Sequence, residues 1–304
     1  MSEIIFATRP SDLAIWQTDW VISALQTAWP EKNFARKVIT TRGDKVIDKP
    51  LPEIGGKGLF TYELEQALLS GEVDGAVHSL KDLPVKNPRG LVVGGIPQRA
   101  DVRDVVVSEG GWTLDELPQH ATVGTSSLRR TAQLKAYRAD LDVVPLRGNV
   151  DTRVKKVYSD EYEYDAIILA AAGVLRSGLE EHIAQYLPLE MMLPAPAQGA
   201  LGIQTRKEGE VLSYLSSIED HSARRAVEAE RAFLFNLGGG CALPVGAYGV
   251  VDERTDEIRL EGVVAAVDGS QVIRVQGRGM NPEQVGNETA HRAIQQGAKE
   301  LLDV

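Results

Sequence analysis

Two short stretches of this 304-residue chain set arginines directly after strand-like runs, at points where backbone amides are also free to meet an anion. In GTSSLRR (Gly124–Arg130) a strand ends at Gly124, hydroxyls follow at Thr125, Ser126 and Ser127, and a helix begins. The amides and dipole of that helix attract negative charge, and Arg129 and Arg130 add planar donors that grip a carboxylate at two points. First helical turns ordinarily favour acidic residues, so two arginines there point to a site more than to a plain capped helix. LRGNVDTR (Leu146–Arg153) repeats the arrangement, with Arg147 at a strand end, a Gly148-Asn149 turn and Arg153 in the next helix. Arg9 follows the first apolar run in the same way, although alone it would read as a surface residue. In open α/β sheets ligands lie beyond the carboxyl ends of strands, so these edges read as one anion-binding cleft.

HSLKDLP (His78–Pro84) is a further strand end, where Lys81 and Asp82 are candidate electrostatic or acid/base groups. Asp82 could equally cap a turn before Pro84, and His78 reads as a satisfied, partly buried histidine. IGGKGLF (Ile54–Phe60) lacks the GxxxxGK[ST] phosphate-loop spacing, because Gly58 follows Lys57, and reads as a glycine loop carrying one lysine. The single cysteine, Cys241, follows Gly238–Gly240. A lone cysteine is most often a small buried hydrophobe. Here three bare glycines give bulky groups access to the sulfur, and no Cys–His pairing is legible, so an attachment point fits better than a hydrolase nucleophile. Glu230 falls on the apolar stripe of Ala223, Val227, Leu234 and Leu237; a carboxylate there needs a partner, expected to be an arginine, and reads as structural.

The elements that must position these groups alternate. Strands are expected at Ile4–Thr8, Phe34–Thr40, Asp74–His78, Leu91–Ile96, Asp104–Val107, Thr122–Gly124, Asp142–Leu146 and Ala166–Ala170. Helices are expected from the Ser11 N-cap through Leu13, Trp16, Trp20 and Leu25 to Trp29, and at Leu59–Leu69, Ser126–Tyr137, Val150–Tyr158 and Gly173–Leu179. That order predicts mainly parallel sheets with helices on both faces. Leu193–Arg206, mixing prolines with a strand-like run, marks a place where the chain could return to an earlier sheet. The last third differs: a helix Ser222–Leu237, a strand Val245–Val251, a hairpin of Glu257–Ala266 and Gln271–Gly277 turning at Asp268-Gly269, and a helix Pro282–Leu302.

Composition narrows the class. Hydrophobic residues make up 43% and charged residues 25%, as in globular proteins, and 304 residues suggest two or three domains. The net charge of −10 argues against a general nucleic-acid binder, yet Ala121–Lys156 carries eight basic residues against three acidic ones. Local positive charge in an acidic protein suits a small anionic ligand, or else a solvated basic face. No apolar run is long enough to cross a bilayer, the start lacks the features of a signal peptide, and the five histidines show no ligand spacing. The expectation is a cytoplasmic protein with no metal site and no membrane or nucleic-acid partner.

Nine stretches in order, ATRPSDLAIWQ, TRGDKVID, IGGKGLF, HSLKDLP, GTSSLRR, LRGNVDTR, DAIILAAAGVLRSGL, LPAPAQGALGI and ERAFLFNLGGGCALPVG, resemble the porphobilinogen deaminase (hydroxymethylbilane synthase) family across essentially the whole chain. The resemblance implies an α/β fold of two periplasmic-binding-protein-like lobes with doubly wound mixed sheets, plus a smaller C-terminal α+β domain with an antiparallel sheet. The lobes would be residues 1–96 with 198–216, and 97–197; the third domain, 217–304, would carry the cysteine.

It also implies a transferase that condenses four porphobilinogen molecules head to tail, releasing ammonia each time, into the linear tetrapyrrole hydroxymethylbilane. The reaction would run on a dipyrromethane cofactor held by thioether to Cys241. By motif position Lys81, Asp82, Thr125, Ser126, Ser127, Arg129, Arg130 and Arg153 would bind the cofactor, and Arg9, Ser11, Arg147, Arg153 and Arg176 the substrate. Asp82 would be catalytic, stabilising the cationic azafulvene left by ammonia loss. The family expectation is a monomer. Glu53 stands where some members have lysine, and Leu243 where a β-branched residue is commoner. A solute-binding module or regulator on the same two lobes, or a transferase using GTSSLRR for phosphate, would explain the anion sites but not Cys241.

Overall fold

The computed structural model describes residues 3–45, 58–239 and 243–302, which fall into two compact units. The first holds the residues up to Ala100 with Ala200–Arg224; the second holds Asp101–Gly199 with the residues from Arg225 onward.

In the first unit β1 (Ile4–Thr8) lies parallel to β2 (Phe34–Val38) and β3 (Gly75–Ser79), while β10 (Leu201–Arg206) runs antiparallel between β3 and β4 (Leu91–Gly95). The strand order is β2-β1-β3-β10-β4. Successive side chains of β1 face opposite ways, so Phe6 joins Val21, Leu25, Phe34, Ile203 and Tyr214 on one face and Ala7 joins Leu64, Leu68 and Leu91 on the other. Helix α1 (Asp12–Ala28) begins at Ser11, whose hydroxyl accepts from the Ala14 amide at 3.4 Å. Its buried face is Gln17, Thr18, Val21 and Leu25, so Trp16 and Trp20, expected in the apolar stripe, are exposed. Gln17 takes the inner place because its amide bonds Ser79 at 2.9 Å. Helix α2 (Arg42–Lys45) is one turn, α3 (Tyr62–Leu69) covers the second face, and α7 (Val211–Leu215) packs on the first.

The second unit repeats the plan. Strands β5 (Asp104–Ser108), β6 (Thr122–Gly124), β7 (Asp142–Val144), β8 (Ala166–Ala170) and β9 (Ile183–Tyr186) order as β7-β6-β8-β5-β9. Helices α4 (Leu128–Tyr137), α5 (Val150–Val157) and α6 (Ala171–Arg176) connect them. The sheets are mixed rather than mainly parallel, because β10 and β5 each enter a sheet from the edge where its parallel strands end and so must run backwards. β9 was not legible in the sequence: all four of its residues are half-buried, so neither face alternates.

The C-terminal part has α8 (His221–Asn236), an antiparallel sheet of β11 (Val245–Val251), β12 (Ile258–Ala265) and β13 (Val272–Gly279), then α9 (Pro282–Gln295) and α10 (Ala298–Leu302). The single closing helix expected from the sequence is split, since Gly297 sits at φ +95 between α9 and α10. The hairpin turns at Asp268-Gly269 as anticipated, and tertiary packing adds a second demand for glycine there. A Cβ on Gly269 would lie 2.3 Å from the Ala136 amide nitrogen of α4. Gly246 similarly abuts the Leu193 carbonyl, and Ala247 donates to the Pro194 carbonyl at 2.9 Å.

Glu230 of α8, fully buried, joins these pieces: its carboxylate accepts from the Ala197 amide at 2.6 Å and the Gly249 amide at 2.7 Å. Ala197 has φ +64, a left-handed conformation that costs a non-glycine residue about 1 kcal/mol, and the carboxylate holds it there. The partners of Glu230 thus include two backbone amides, which the stripe position in the sequence did not reveal. Replacing Glu230 with Ala should lower unfolding free energy by about 3 kcal/mol, because two buried amides lose their acceptor. Urea denaturation checks this, and Glu230→Gln should recover part of the loss.

Candidate active site

Strand polarity decides which residues can meet. In the first unit β1 and β3 are adjacent and parallel, so Arg9 and the turn Leu80–Asp82 emerge at the same sheet edge. Asp82 is exposed and, among the described residues, makes no hydrogen bond or ion pair; Lys81 is half-buried beside it. Arg9 is engaged: its Nε and Nη2 donate to Asp44 Oδ1 at 3.1 and 2.5 Å, and its guanidinium lies 4.2 Å from the centre of the Phe60 ring. Asp44 Oδ2 accepts from the Thr41 amide and hydroxyl at 2.9 and 2.8 Å. Burial pushes the Asp44 carboxyl up, but Arg9 and Thr41 outweigh it and hold it below the usual carboxylate range. The Ser11 hydroxyl accepts from the Ala14 amide in capping α1, which leaves its O–H as a donor.

In the second unit β6, β7 and β8 are parallel and β5 is antiparallel, with Asp104 opposite Ala170. The ends of three strands and the start of a fourth therefore share one edge, and that edge carries Thr125, Arg147, Arg176 and Asp104. Ser126 ties two of these ends together, its hydroxyl donating to the Leu146 carbonyl at 2.8 Å and accepting from the Leu146 amide at 3.0 Å. Thr125 Oγ1 accepts from the Ser127 amide at 3.2 Å, and Ser127 is the N-cap of α4. Arg153 Nε donates to the Gly148 carbonyl at 2.7 Å, and Arg176 Nη2 to the Gly199 carbonyl at 2.9 Å. Burial lowers the Arg176 pKa to about 10, leaving it charged at neutral pH. The half-buried Arg147 has no side-chain partner among the described residues.

Arg129 and Arg130 are not solvent-facing. They are 3% and 6% exposed and converge on Asp104, which is fully buried. Arg129 Nη1 donates to Asp104 Oδ2 at 2.7 Å, and Arg130 Nε and Nη2 donate to Asp104 Oδ1 at 3.1 and 2.7 Å. Burial raises the Asp104 pKa, but the two guanidiniums more than reverse it and keep the carboxylate ionised. Of the eight basic residues in this stretch, Arg138 is likewise committed, to Asp140 at 2.6 Å and to the Leu114 carbonyl at 2.8 Å. The opposite sheet edge is acidic, where Glu109, Asp160, Glu163 and Asp165 line a concavity of about 190 Å3. A polycarboxylate is repelled there and attracted at the arginine edge.

Sequence reasoning missed Asp104, Gln198 and Asp44. The available signal for Asp104 was a carboxylate opening the wholly buried strand DVVVS. Cys241, Lys57 and Glu53 lie outside the described residues, so the attachment-point reading and the glycine-loop lysine have no geometry. Among the described residues no cluster of histidine, cysteine and carboxylates suits a metal ion, and no helix is long and apolar enough to cross a membrane.

His78 is buried as expected, but its Nε2 finds no hydrogen-bond partner among the described residues. Burial lowers its pKa to about 4, with nearby Gln204 opposing and Arg9 adding to the shift. Between pH 6.5 and 4 the unfolded chain binds a proton that the folded chain does not, so this contribution is complete above pH 6.5 and lost as pH falls. About 2 kcal/mol should disappear by pH 5. Thermal melts of wild type and His78→Asn between pH 7 and 5 check it, the variant showing the flatter profile.

Comparison with known proteins accounts for nearly every residue. A family model described as porphobilinogen deaminase, dipyromethane cofactor binding domain, matches residues 4–213, and one described as porphobilinogen deaminase, C-terminal domain, matches residues 224–295. The porphobilinogen deaminase of Desulforudis audaxviator is 50% identical over 303 residues, 99% of this chain and 97% of that protein. That of Brevibacillus brevis is 49% identical over 296 residues, 97% of this chain and 95% of that protein. The Geobacillus kaustophilus enzyme is 46% identical over 305 residues, 100% and 97% of the two chains. Among solved structures, the BenM effector binding domain with its effector benzoate aligns at TM-score 0.41 and 13% identity, covering 71% of this chain and 88% of that chain, too distant to inform the site. With family models over both parts of the chain and relatives about half identical along its full length, this chain belongs to the porphobilinogen deaminase family.

Proposed function

We propose how the residues of this chain divide the work of the family's reaction, tetrapyrrole assembly from porphobilinogen in porphyrin biosynthesis. The chain is a transferase. In each of four condensations the aminomethyl C–N bond of an incoming porphobilinogen breaks with loss of ammonia, its methylene carbon bonds the unsubstituted α-carbon of the terminal pyrrole, and that α-carbon then loses its proton. Water supplies the final hydroxyl of hydroxymethylbilane. When bound, the dipyrromethane cofactor supplies the pyrrole on which the new chain starts.

The residues fit that group. Dipyrromethane and its extensions carry an acetate and a propionate on every ring, and the second unit offers cationic donors along one sheet edge. Arg129 Nε is a buried donor with no partner among the described residues, and the Arg147 guanidinium has none either. This concentration of guanidinium donors is the observation that carries the assignment. Arg129, Arg130, Arg153, Thr125, Ser126, Ser127 and Lys81 would hold the cofactor's carboxylates, with Cys241 forming the thioether. Arg9, Ser11, Arg147, Arg153 and Arg176 would hold those of the substrate. Arg9 must first be released from Asp44 by an incoming carboxylate, which exchanges one ion pair for another at small net cost.

Asp82 would accept a hydrogen bond from pyrrole N–H, stabilise the cation left by ammonia loss and then help remove the proton. Its exposure and its lack of protein partners leave both oxygens available. The three-domain division at residues 97, 198 and 217, the monomeric state and a cytoplasmic location belong to the same proposal.

Asp82→Ala should lower kcat by a factor of about 100 or more while the melting temperature stays near wild type, as for loss of one charge-stabilising group. Product formation with porphobilinogen measures it, and an active variant removes the catalytic assignment. Cys241→Ala should fold but carry no adduct, whereas wild-type protein should show a mass increment of two linked pyrrole units. An unmodified wild-type mass and no consumption of porphobilinogen would overturn the whole reading.

A further inference from the structure

We infer that Asp104, a residue outside the proposed binding set, is the positioning residue for the arginine site: one buried carboxylate holds Arg129 and Arg130 side by side and leaves the pair with a single net positive charge for the cofactor's carboxylates. This rests on the proposal that those arginines bind the cofactor.

Two guanidiniums this deeply buried repel each other in a medium that screens poorly, so neither would stay in place without a counter-charge. Asp104 supplies it to both at once, one oxygen to each arginine. The carboxylate is itself fixed. Gln198 Nε2 donates to Oδ1 at 2.9 Å and to the Val102 carbonyl at 2.8 Å, so the amide that holds the carboxylate is itself anchored to the backbone. Carbonyls pin both arginines further: Arg130 Nη1 donates to Ile168 at 2.8 Å, and Arg129 Nη1, the nitrogen that also meets Asp104, donates to Leu193 at 2.8 Å. Gln133 in turn fixes Leu193, accepting from its amide at 2.8 Å and donating to its carbonyl at 3.1 Å.

After all of these bonds Arg129 Nε is still unsatisfied, although the residue is 3% exposed. A buried charged donor left over in so complete a network marks where an anion from outside belongs. Burial depresses the Arg129 pKa below its ordinary value, Asp104 opposing this and Arg130 adding to it. The aspartate therefore sets both the geometry and the charge that a ligand carboxylate meets.

The test compares full-length cofactor-free protein, obtained by expression without porphobilinogen, with protein loaded by adding porphobilinogen and scored by intact mass. Asp104→Asn removes the internal counter-charge, and bound cofactor carboxylates replace it in part. Its loss of melting temperature should be clearly larger in the cofactor-free than in the loaded form. Asp104→Glu keeps the charge but displaces it by one methylene, so it should fold and yet load at least about tenfold more slowly. Equal melting losses in both forms of Asp104→Asn, with wild-type loading by Asp104→Glu, would overturn the positioning role. Should Asp104→Asn fail to fold, the loading rate of Asp104→Glu decides alone. Arg129→Met separates the two readings. If it loads and retains the adduct like wild type, the arginine site itself is wrong; if it does not load while the Asp104 variants behave as merely structural, only the positioning inference falls.

Discussion

Holding positive charge in a place from which water is excluded is the constraint around which the second unit is organised. Two adjacent arginines at the start of α4 are buried, and a single aspartate at the start of β5 balances them. A charge pair of this kind contributes little net stability, because desolvating the ions cancels most of the attraction. Its value lies in geometry. The guanidinium planes are set before any ligand arrives, so a carboxylate that binds does not have to order two long side chains.

The fold makes this arrangement possible through strand direction. In each unit the fourth strand of the sheet order runs against its neighbours, because the chain enters it from the edge where the parallel strands finish. The residue that opens such a strand lies beside the residues that close the others. Asp104 gains its position in this way, next to Ala170 and within reach of α4. Chemistry from sequence positions 9 to 82 collects at one edge and from 104 to 176 at the other. The two edges of the second sheet also differ in sign of charge: the arginines lie at the ends of its parallel strands and Glu109, Asp160, Glu163 and Asp165 at the opposite side.

Much of this was legible without coordinates. Ile4–Thr8, Thr122–Gly124, Ala166–Ala170 and Val245–Val251 are strands with the expected limits, because each is a compact apolar run bounded by turn residues. The Ser11 cap was legible for the same local reason, whereas the helix expected from Ser126 starts two residues later, with Ser127 as its cap. What misled was periodicity wherever a polar residue had a distant partner. Gln17 is buried and Trp16 and Trp20 are exposed because Ser79, 62 positions away, satisfies the glutamine amide. The reversed direction of β5 and β10 was equally hidden, since alternation records which face a residue takes and not which way its strand runs.

By itself, then, the sequence determined the family, the element types, the anion-seeking character of the strand ends and the residues available to do chemistry there. Those properties follow from side-chain type and from contacts a few residues apart. Only the tertiary structure decided which charges remain available: Asp82 and Arg147 stand without partners among the described residues, Arg9 is held by Asp44, and Arg129 and Arg130 share Asp104. An ion pair between residues 25 or 35 positions apart is created by the sheet that brings them within 3 Å, and no local pattern encodes it.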